Sequence, residues 1–141
     1  MQVHVDRKES HHSGRRIINQ SDVIKALRHV YSDSLYIFPG PMSLEQTRHV
    51  FGRARVLIGA HGGAMYNLHF APKTATIIEY IGVHSDGHIT SKIGHTMIWT
   101  LAQNTGQTFY RVYEKPLSSQ LDIEVNIHKL LQLLHRIDKL H

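Results

Sequence analysis

The stretch ARVLIGAHGGAMYNLHF, residues 54–70, predicts the architecture of the whole chain. Apart from Arg55, its first half is apolar, which is typical of a strand buried on both faces of a parallel sheet. A histidine and two glycines follow where the strand must turn, and the residues from Ala64 onward can continue as a helix. Such a unit leaves backbone N–H groups free at the helix N-terminus, where the helix dipole favours an anion.

Two interpretations of this turn are open from its spacing alone. In the first, the free amides bind a phosphate or diphosphate, and His61 donates a hydrogen bond beside them. In the second, the glycines only supply the tight turn that a doubly wound sheet requires, without any ligand. The glycines at 59, 62 and 63 do not follow the dinucleotide-binding pattern G-x-G-x-x-G, so that motif does not decide between the two.

Strands and helices alternate along the rest of the chain. Strands are predicted at 2–6, 35–38, 54–60, 75–81 and 108–113, and helices from about 19–21, at 43–51, after the turn, within 89–105 and at about 121–140. In the helix within 89–105, the inward-facing residues are expected to be Ile93, Met97, Ile98, Leu101 and Ala102. Ser43 and Gln46 have the spacing of a capping box. The pattern predicts a single α/β domain over 1–141 with a Rossmann-like, doubly wound, mostly parallel sheet of about five strands. The amphipathic last helix is expected to pack on its own domain, with docking on a partner as the alternative.

Composition excludes several classes of site. The 141 residues include no cysteine, which excludes disulfides, thiolate metal sites and a cysteine nucleophile. The net charge of +5 is spread along the chain, which favours an anionic small molecule over nucleic acid. The histidines in His11-His12 and His84-x-Asp86-x-His88 do not have metal-site spacing, so no metal is expected. No targeting signal or membrane span is recognisable, and localisation is unknown from the chain.

Polar side chains follow three of the predicted strands. Arg7 comes after the first strand, His61 to Gly63 after the third, and Glu79 lies near the end of the fourth. Ligands of doubly wound sheets bind outside the carboxyl ends of the strands, where these residues are expected to meet. The convergence favours the ligand-binding interpretation of the turn.

These residues, in this order, resemble the carboxyl-terminal half of family 61 glycosyltransferases. The shared pattern consists of Arg7, Arg16-x-Ile18-Asn19, Gly59-x-His61-Gly62-Gly63-Ala64 with Asn67 and Phe70, and Ile77-Ile78-Glu79. The likeness covers roughly 2–113, and Gly63 stands where many members continue directly to alanine. The resemblance implies a GT-B enzyme, in which two Rossmann-like domains face each other and the carboxyl-terminal one binds a nucleotide-sugar donor without a metal or other cofactor.

The resemblance also implies a site and a reaction. The expected donor-binding residues are Arg7, Arg16, Asn19, His61, Gly62, Gly63, Ala64 and Glu79. The two arginines would bind the diphosphate of a UDP-sugar, with His61 and the turn amides beside them. Asn19 would contact the donor or hold its loop as a helix cap, and Glu79 would accept from ribose hydroxyls or pair with a neighbouring arginine. The sugar would pass with inversion to a glycan or protein hydroxyl.

Against that resemblance, the amino-terminal GT-B domain is expected to be missing from this chain, and no residue of the 141 is identified as the general base. Catalytic residues are therefore unknown, and the chain is expected to be a fragment, an incomplete gene model or a donor-binding domain that needs a partner chain. The resemblance implies the lumen of the endoplasmic reticulum or Golgi. A non-catalytic α/β interaction module that docks through its last helix is the alternative function.

Overall fold

The computed structural model describes residues 1–5, 16–83, 97–117 and 122–140. Its elements in order are β1 Gln2–Val5, α1 Gln20–Tyr31, a short 3₁₀ turn Ser32–Ser34, β2 Leu35–Phe38, α2 Leu44–Phe51, β3 Val56–Ala60, a 3₁₀ helix Gly63–Phe70, β4 Thr76–Gly82, α3 Met97–Thr105, β5 Thr108–Glu114 and α4 Ile127–Leu140. The 3₁₀ helix Gly63–Phe70 is called the turn helix below. No helix among these residues is long and apolar enough to cross a bilayer.

The five strands form one sheet in the order β2-β1-β3-β4-β5, and every neighbouring pair is parallel. The prediction of a doubly wound α/β sheet is thus confirmed. The chain runs outward in one direction from β1 to β2 and in the other from β3 to β5. The strand order therefore reverses between β1 and β3, and doubly wound sheets bind ligands outside the carboxyl ends of the strands at such a point.

The sheet is buried on both faces, as the apolar run in β3 predicts. Neighbouring residues Leu57 and Ile58 are both fully buried but belong to different cores, because successive side chains of a strand point to opposite faces. One core contains the apolar residues of α1 and α4, and the other contains those of α2, the turn helix and α3. The turn after β3 therefore opens toward the second layer.

Helix α4 packs on its own domain. Leu130, Leu134 and Ile137 are at most 1% exposed and belong to the same core as Val23 and Leu27 of α1. The apolar face that made partner docking an alternative is therefore occupied within the chain.

Two helix predictions differ from the structure. The last helix begins at Ile127 rather than near 121, because Ile123 is extended and forms β-bridges with Ile17 and Pro116. Met97 was expected to point inward, yet it is 46% exposed, while Ile98 is buried. The part of that predicted helix before Met97, including Ile93, lies outside the described residues.

The capping box at α2 is confirmed. Ser43 Oγ accepts from the backbone N–H of Gln46 at 3.2 Å, and the Ser43 N–H donates to Gln46 Oε1 at 3.1 Å. These two bonds satisfy amide groups at the helix start that have no partner inside the helix. This local interaction spans three residues, so it was readable without the tertiary structure.

Candidate active site

The first residue after β3 still forms a backbone hydrogen bond to the neighbouring strand β4. The His61 N–H donates to the Tyr80 carbonyl of β4 at 2.8 Å, and Gly62 is extended, with φ 165° and ψ 174°. The Met65 N–H then donates to the Gly62 carbonyl at 3.0 Å, three residues back, and opens the turn helix. The N–H groups of Gly63 and Ala64 precede this first helical bond and stand at the carboxyl edge of the sheet. The helix expected here is therefore present in its tighter 3₁₀ form.

Two glycines of this segment have different roles in the fold. A Cβ on Gly59 would lie 2.7 Å from Met65 Sδ and 2.9 Å from Val5 Cβ, so glycine there lets the turn helix and β1 approach β3 closely. A Cβ on Gly63 would have no atom of the described residues within 4 Å, and the φ of Gly63 is not in the left-handed region. Packing therefore requires glycine at 59 and leaves open space beside 63.

This difference predicts opposite outcomes for two matched substitutions. Gly59→Ala is expected to lower the free energy of unfolding by about 1–3 kcal/mol, because the added methyl overpacks the core. Gly63→Ala is expected to change it by no more than about 0.5 kcal/mol, because the methyl meets no atom in the part of the chain that the structure describes. Urea denaturation of both variants measures the two values. Equal losses in the two variants would contradict the packing argument.

Three side chains at the carboxyl side of the sheet, His61, Glu79 and Arg111, form a continuous hydrogen-bonded network. His61 Nδ1 lies 2.5 Å from Glu79 Oε1, and Arg111 donates from Nε to Glu79 Oε2 at 2.8 Å, with its Nη2 also 2.8 Å from that oxygen. The register explains the meeting, because Gly59, Glu79 and Arg111 are aligned partners in β3, β4 and β5. Gly59 has no side chain that could contact Glu79. His61, two residues further along the chain, contacts it instead.

The side chains of this hydrogen-bonded network are largely buried. The Glu79 side chain is 0% exposed, while those of His61 and Arg111 are 11% and 13% exposed. A buried carboxylate is costly unless it is paired and hydrogen-bonded, and both of its oxygens are satisfied here. The guanidinium of Arg111 also lies over the Phe109 ring, 5.4 Å from the centroid.

The contact with Glu79 also decides which edge of the His61 ring faces the sheet. When Nδ1–H donates to the carboxylate, Nε2 lies on the opposite edge of the ring. In the neutral ring Nε2 is an acceptor, and in the protonated ring it is a second donor. A carboxylate-held imidazole of this kind can therefore hold a proton at Nε2 toward an anionic group.

Of the two interpretations of Glu79, pairing with an arginine is the one present in the structure. The partner, Arg111, was not among the predicted site residues. Its signal in the sequence was its position, since Glu79 and Arg111 are each the fourth residue of their strand. With the predicted strand starts at 75 and 108, Glu79 is the fifth residue of its strand and Arg111 the fourth. The predicted bounds therefore did not align the two residues.

Arg16 and Asn19 are held by the segment that precedes α4. The Arg16 N–H donates to Asp122 Oδ1 at 2.9 Å, and its Nη2 donates to Asp122 Oδ2 at 3.2 Å. Asn19 bonds both backbone groups of Val125, donating from Nδ2 to the carbonyl and accepting at Oδ1 from the N–H, each at 2.9 Å. The Arg16 side chain remains 46% exposed beside its mostly buried partner.

Asn19 therefore holds its loop as the N-cap residue of α1, while its side chain bonds a distant segment. It occupies the N-cap position of α1, where its backbone carbonyl accepts from Asp22 and Val23. Its side chain makes no cap hydrogen bond, because both ends of the amide are engaged by Val125. The cap position is confirmed, and the side chain is engaged instead by a partner 106 residues away.

The structure brings some of the predicted residues together and separates others. His61, Gly62, Gly63, Ala64 and Glu79 form one group at the α2 and α3 side of the sheet. Arg16 and Asn19 lie on the α1 and α4 side, where Ile17 enters the core of that layer. Arg7 lies outside the described residues, as do His11, His12, His84, Asp86 and His88. Within the described ranges no three His, Asp or Glu side chains are grouped as metal ligands.

Comparison with known proteins identifies the chain's relationship. The family model Glycosyltransferase 61 matches residues 2–78, more than half of the chain. No curated protein matches the sequence. Among solved structures, a diflavin flavoprotein A3 from Nostoc sp. is similar with a TM-score of 0.50 and 12% identity, over 86% of this chain and 82% of that one.

The structural likeness concerns the fold alone. The flavoprotein match and the strand order 2-1-3-4-5 both identify a flavodoxin-like, doubly wound sheet. The family match carries more, because it contains the predicted residues from Arg7 to Ala64 and ends one residue before Glu79. The chain belongs to glycosyltransferase family 61.

Proposed function

We propose that the chain binds the diphosphate of a UDP-sugar at the turn after β3 and contributes to transfer of that sugar to a glycan or protein hydroxyl. Membership of a glycosyltransferase family supports glycosyl transfer as the reaction class. The buried network of His61, Glu79 and Arg111 is the observation that supports this site. It holds an imidazole beside the amides of the turn helix, at the edge of the sheet where such folds bind ligands.

In this proposal the leaving diphosphate is stabilised by donors that are already in place. Protonated His61 donates Nδ1–H to Glu79 and Nε2–H to a phosphate oxygen, while the Gly63 and Ala64 amides donate from the turn helix. Preorganised donors of this kind favour developing negative charge without reorganising during the reaction. Arg16 precedes α1 in the connection that follows β1, the strand beside β3, and Arg7 comes before it in the sequence. In this proposal both guanidinium groups reach the diphosphate from that edge of the sheet, so that no metal or other cofactor is required.

The proposed transfer proceeds with inversion. An acceptor hydroxyl attacks the anomeric carbon from the face opposite the diphosphate, the bond from that carbon to the phosphate oxygen breaks, and its electron pair leaves with UDP. A general base takes the hydroxyl proton. No residue of this chain is assigned as that base. In the GT-B arrangement that we propose, a second domain or a partner chain across the crevice supplies it together with the acceptor site. We place the reaction in the lumen of the endoplasmic reticulum or Golgi.

Titration calorimetry with UDP tests the donor site. His61→Ala is expected to weaken UDP binding at least about tenfold, the equivalent of one charge-assisted hydrogen bond. Arg16→Ala is expected to weaken it as well. The matched control is His49→Ala, which removes an exposed histidine of α2 and should leave the affinity unchanged. Absence of UDP binding by folded protein, or equal affinities in all variants, would overturn the proposed site.

A further inference from the structure

The turn helix presents one face beside the open space at Gly63. In a 3₁₀ helix residues three apart are aligned, so Tyr66 lies directly above Gly63, about 6 Å along the axis. The Tyr66 hydroxyl donates to Met97 Sδ of α3 at 3.1 Å. Tyr66 is half-buried, and Met97 is 46% exposed. An aromatic ring and a thioether therefore border the space that the glycine leaves open.

The chemistry of this pair is that of a flat apolar surface. The phenol hydroxyl is engaged with Met97 and part of the ring packs against the core on the α2 and α3 side, so the remaining exposed part of the ring is what the pair offers to a neighbouring group. Tyrosine faces stack on planar unsaturated rings, and methionine sulfur is polarizable and adapts to aromatic neighbours. A hydroxyl-rich sugar ring, in contrast, needs several hydrogen-bond partners when it is bound.

We propose that Tyr66, backed by Met97, stacks on the nucleobase of the donor. The inference rests on the proposed function, since the diphosphate at the amides of Gly63 and Ala64 brings the attached nucleoside within reach of the next turn of the helix. Tyr66 is then a specificity-determining residue, and His61 remains the group that holds the diphosphate. The two contributions act on different parts of the same ligand.

Two probes separate these contributions, UDP itself and inorganic pyrophosphate in competition with UDP. Tyr66→Ala is expected to weaken UDP binding about tenfold, within the range measured when a base loses a stacking partner, and to leave pyrophosphate affinity unchanged. Tyr66→Phe keeps the ring and should bind UDP as the natural chain does. His61→Ala should weaken both probes. Tyr113→Ala, which removes an exposed tyrosine of β5, is the control and should weaken neither.

The outcomes distinguish the two proposals. If UDP binds in a manner that depends on His61 while Tyr66→Ala has no effect on it, the stacking proposal is wrong and the diphosphate site stands. An equal loss of UDP and pyrophosphate in Tyr66→Ala also overturns stacking, because it shows that the variant damages the turn itself. If the natural chain does not bind UDP, the proposed function fails and the stacking proposal fails with it.

Discussion

Replacement of Glu79 by alanine is expected to lower the free energy of unfolding by about 3–5 kcal/mol, the range observed when one member of a buried ion pair is removed. Glu79 is fully buried and bonds both His61 and Arg111. Without it, the guanidinium of Arg111 loses its carboxylate in a region that water barely reaches. Urea denaturation at neutral pH measures the loss. A change below about 1 kcal/mol would contradict the assignment of Glu79 as the central member of the network with His61 and Arg111.

A double variant separates the cost of unpaired charge from the role of the site. Changing Glu79→Leu and Arg111→Leu together removes both charges, and replacement of a buried ion pair by apolar groups is often neutral in stability. The double variant should therefore be more stable than Glu79→Ala. Its UDP affinity should still fall, because His61 has lost the acceptor at Nδ1. A double variant that recovers both stability and UDP binding would show that the network of His61, Glu79 and Arg111 is only structural.

Acid is expected to destabilise the fold through His4. This histidine of β1 is 0% exposed, and Gln20 at the start of α1 donates from Nε2 to His4 Nε2 at 2.9 Å. Burial lowers the pKa of His4 from 6.5 to about 4, with the Gln20 bond opposing the shift. In the unfolded chain His4 therefore binds a proton near pH 6.5, whereas in the folded chain it binds one only near pH 4.

The sign and the range follow from this difference. Above pH 6.5 both states carry neutral His4 and no stability is lost. As the pH falls from 6.5 toward 4, the unfolded state binds more protons, so stability declines by about 2 kcal/mol at pH 5 and by about 3 kcal/mol below pH 4.

Comparison with a variant that cannot take the proton isolates this contribution. His4→Gln should lose less stability between pH 7 and pH 5 than the natural chain does, by about 2 kcal/mol. His29→Gln, which replaces an exposed histidine of α1, should keep the natural pH dependence. Urea denaturation at both pH values provides the comparison. Identical pH dependence in His4→Gln and the natural chain would show that His4 is not the group responsible.

Short-range patterns predicted much of the fold because their causes are local. Apolar runs place β3 and β4 within two residues of their observed bounds, and the capping box of Ser43 and Gln46 joins residues three apart. The strand, turn and helix unit around His61 is present for the same reason. The 3₁₀ form of its helix was not predicted, since Met65 and Leu68 are buried in positions that either helix type would allow.

Side-chain partners across the sheet could not be derived in the same way. Glu79 meets Arg111 because β4 and β5 pair in one register, and a one-residue change would place the two side chains on opposite faces. Met97 was predicted to be inward by helical spacing, yet its sulfur lies at the surface beside Tyr66. Periodicity alone cannot identify which neighbour a helix meets.

The sequence by itself therefore determined the class of fold, the turn at His61, Gly62 and Gly63, and membership of the family through the residues up to 78. Only the tertiary structure decided that Glu79 contacts both His61 and Arg111, and that the segment at Asp122 holds Arg16 from 106 residues away. The physical reason is that local patterns specify elements, whereas partners depend on strand register and on segments that chain folding brings together.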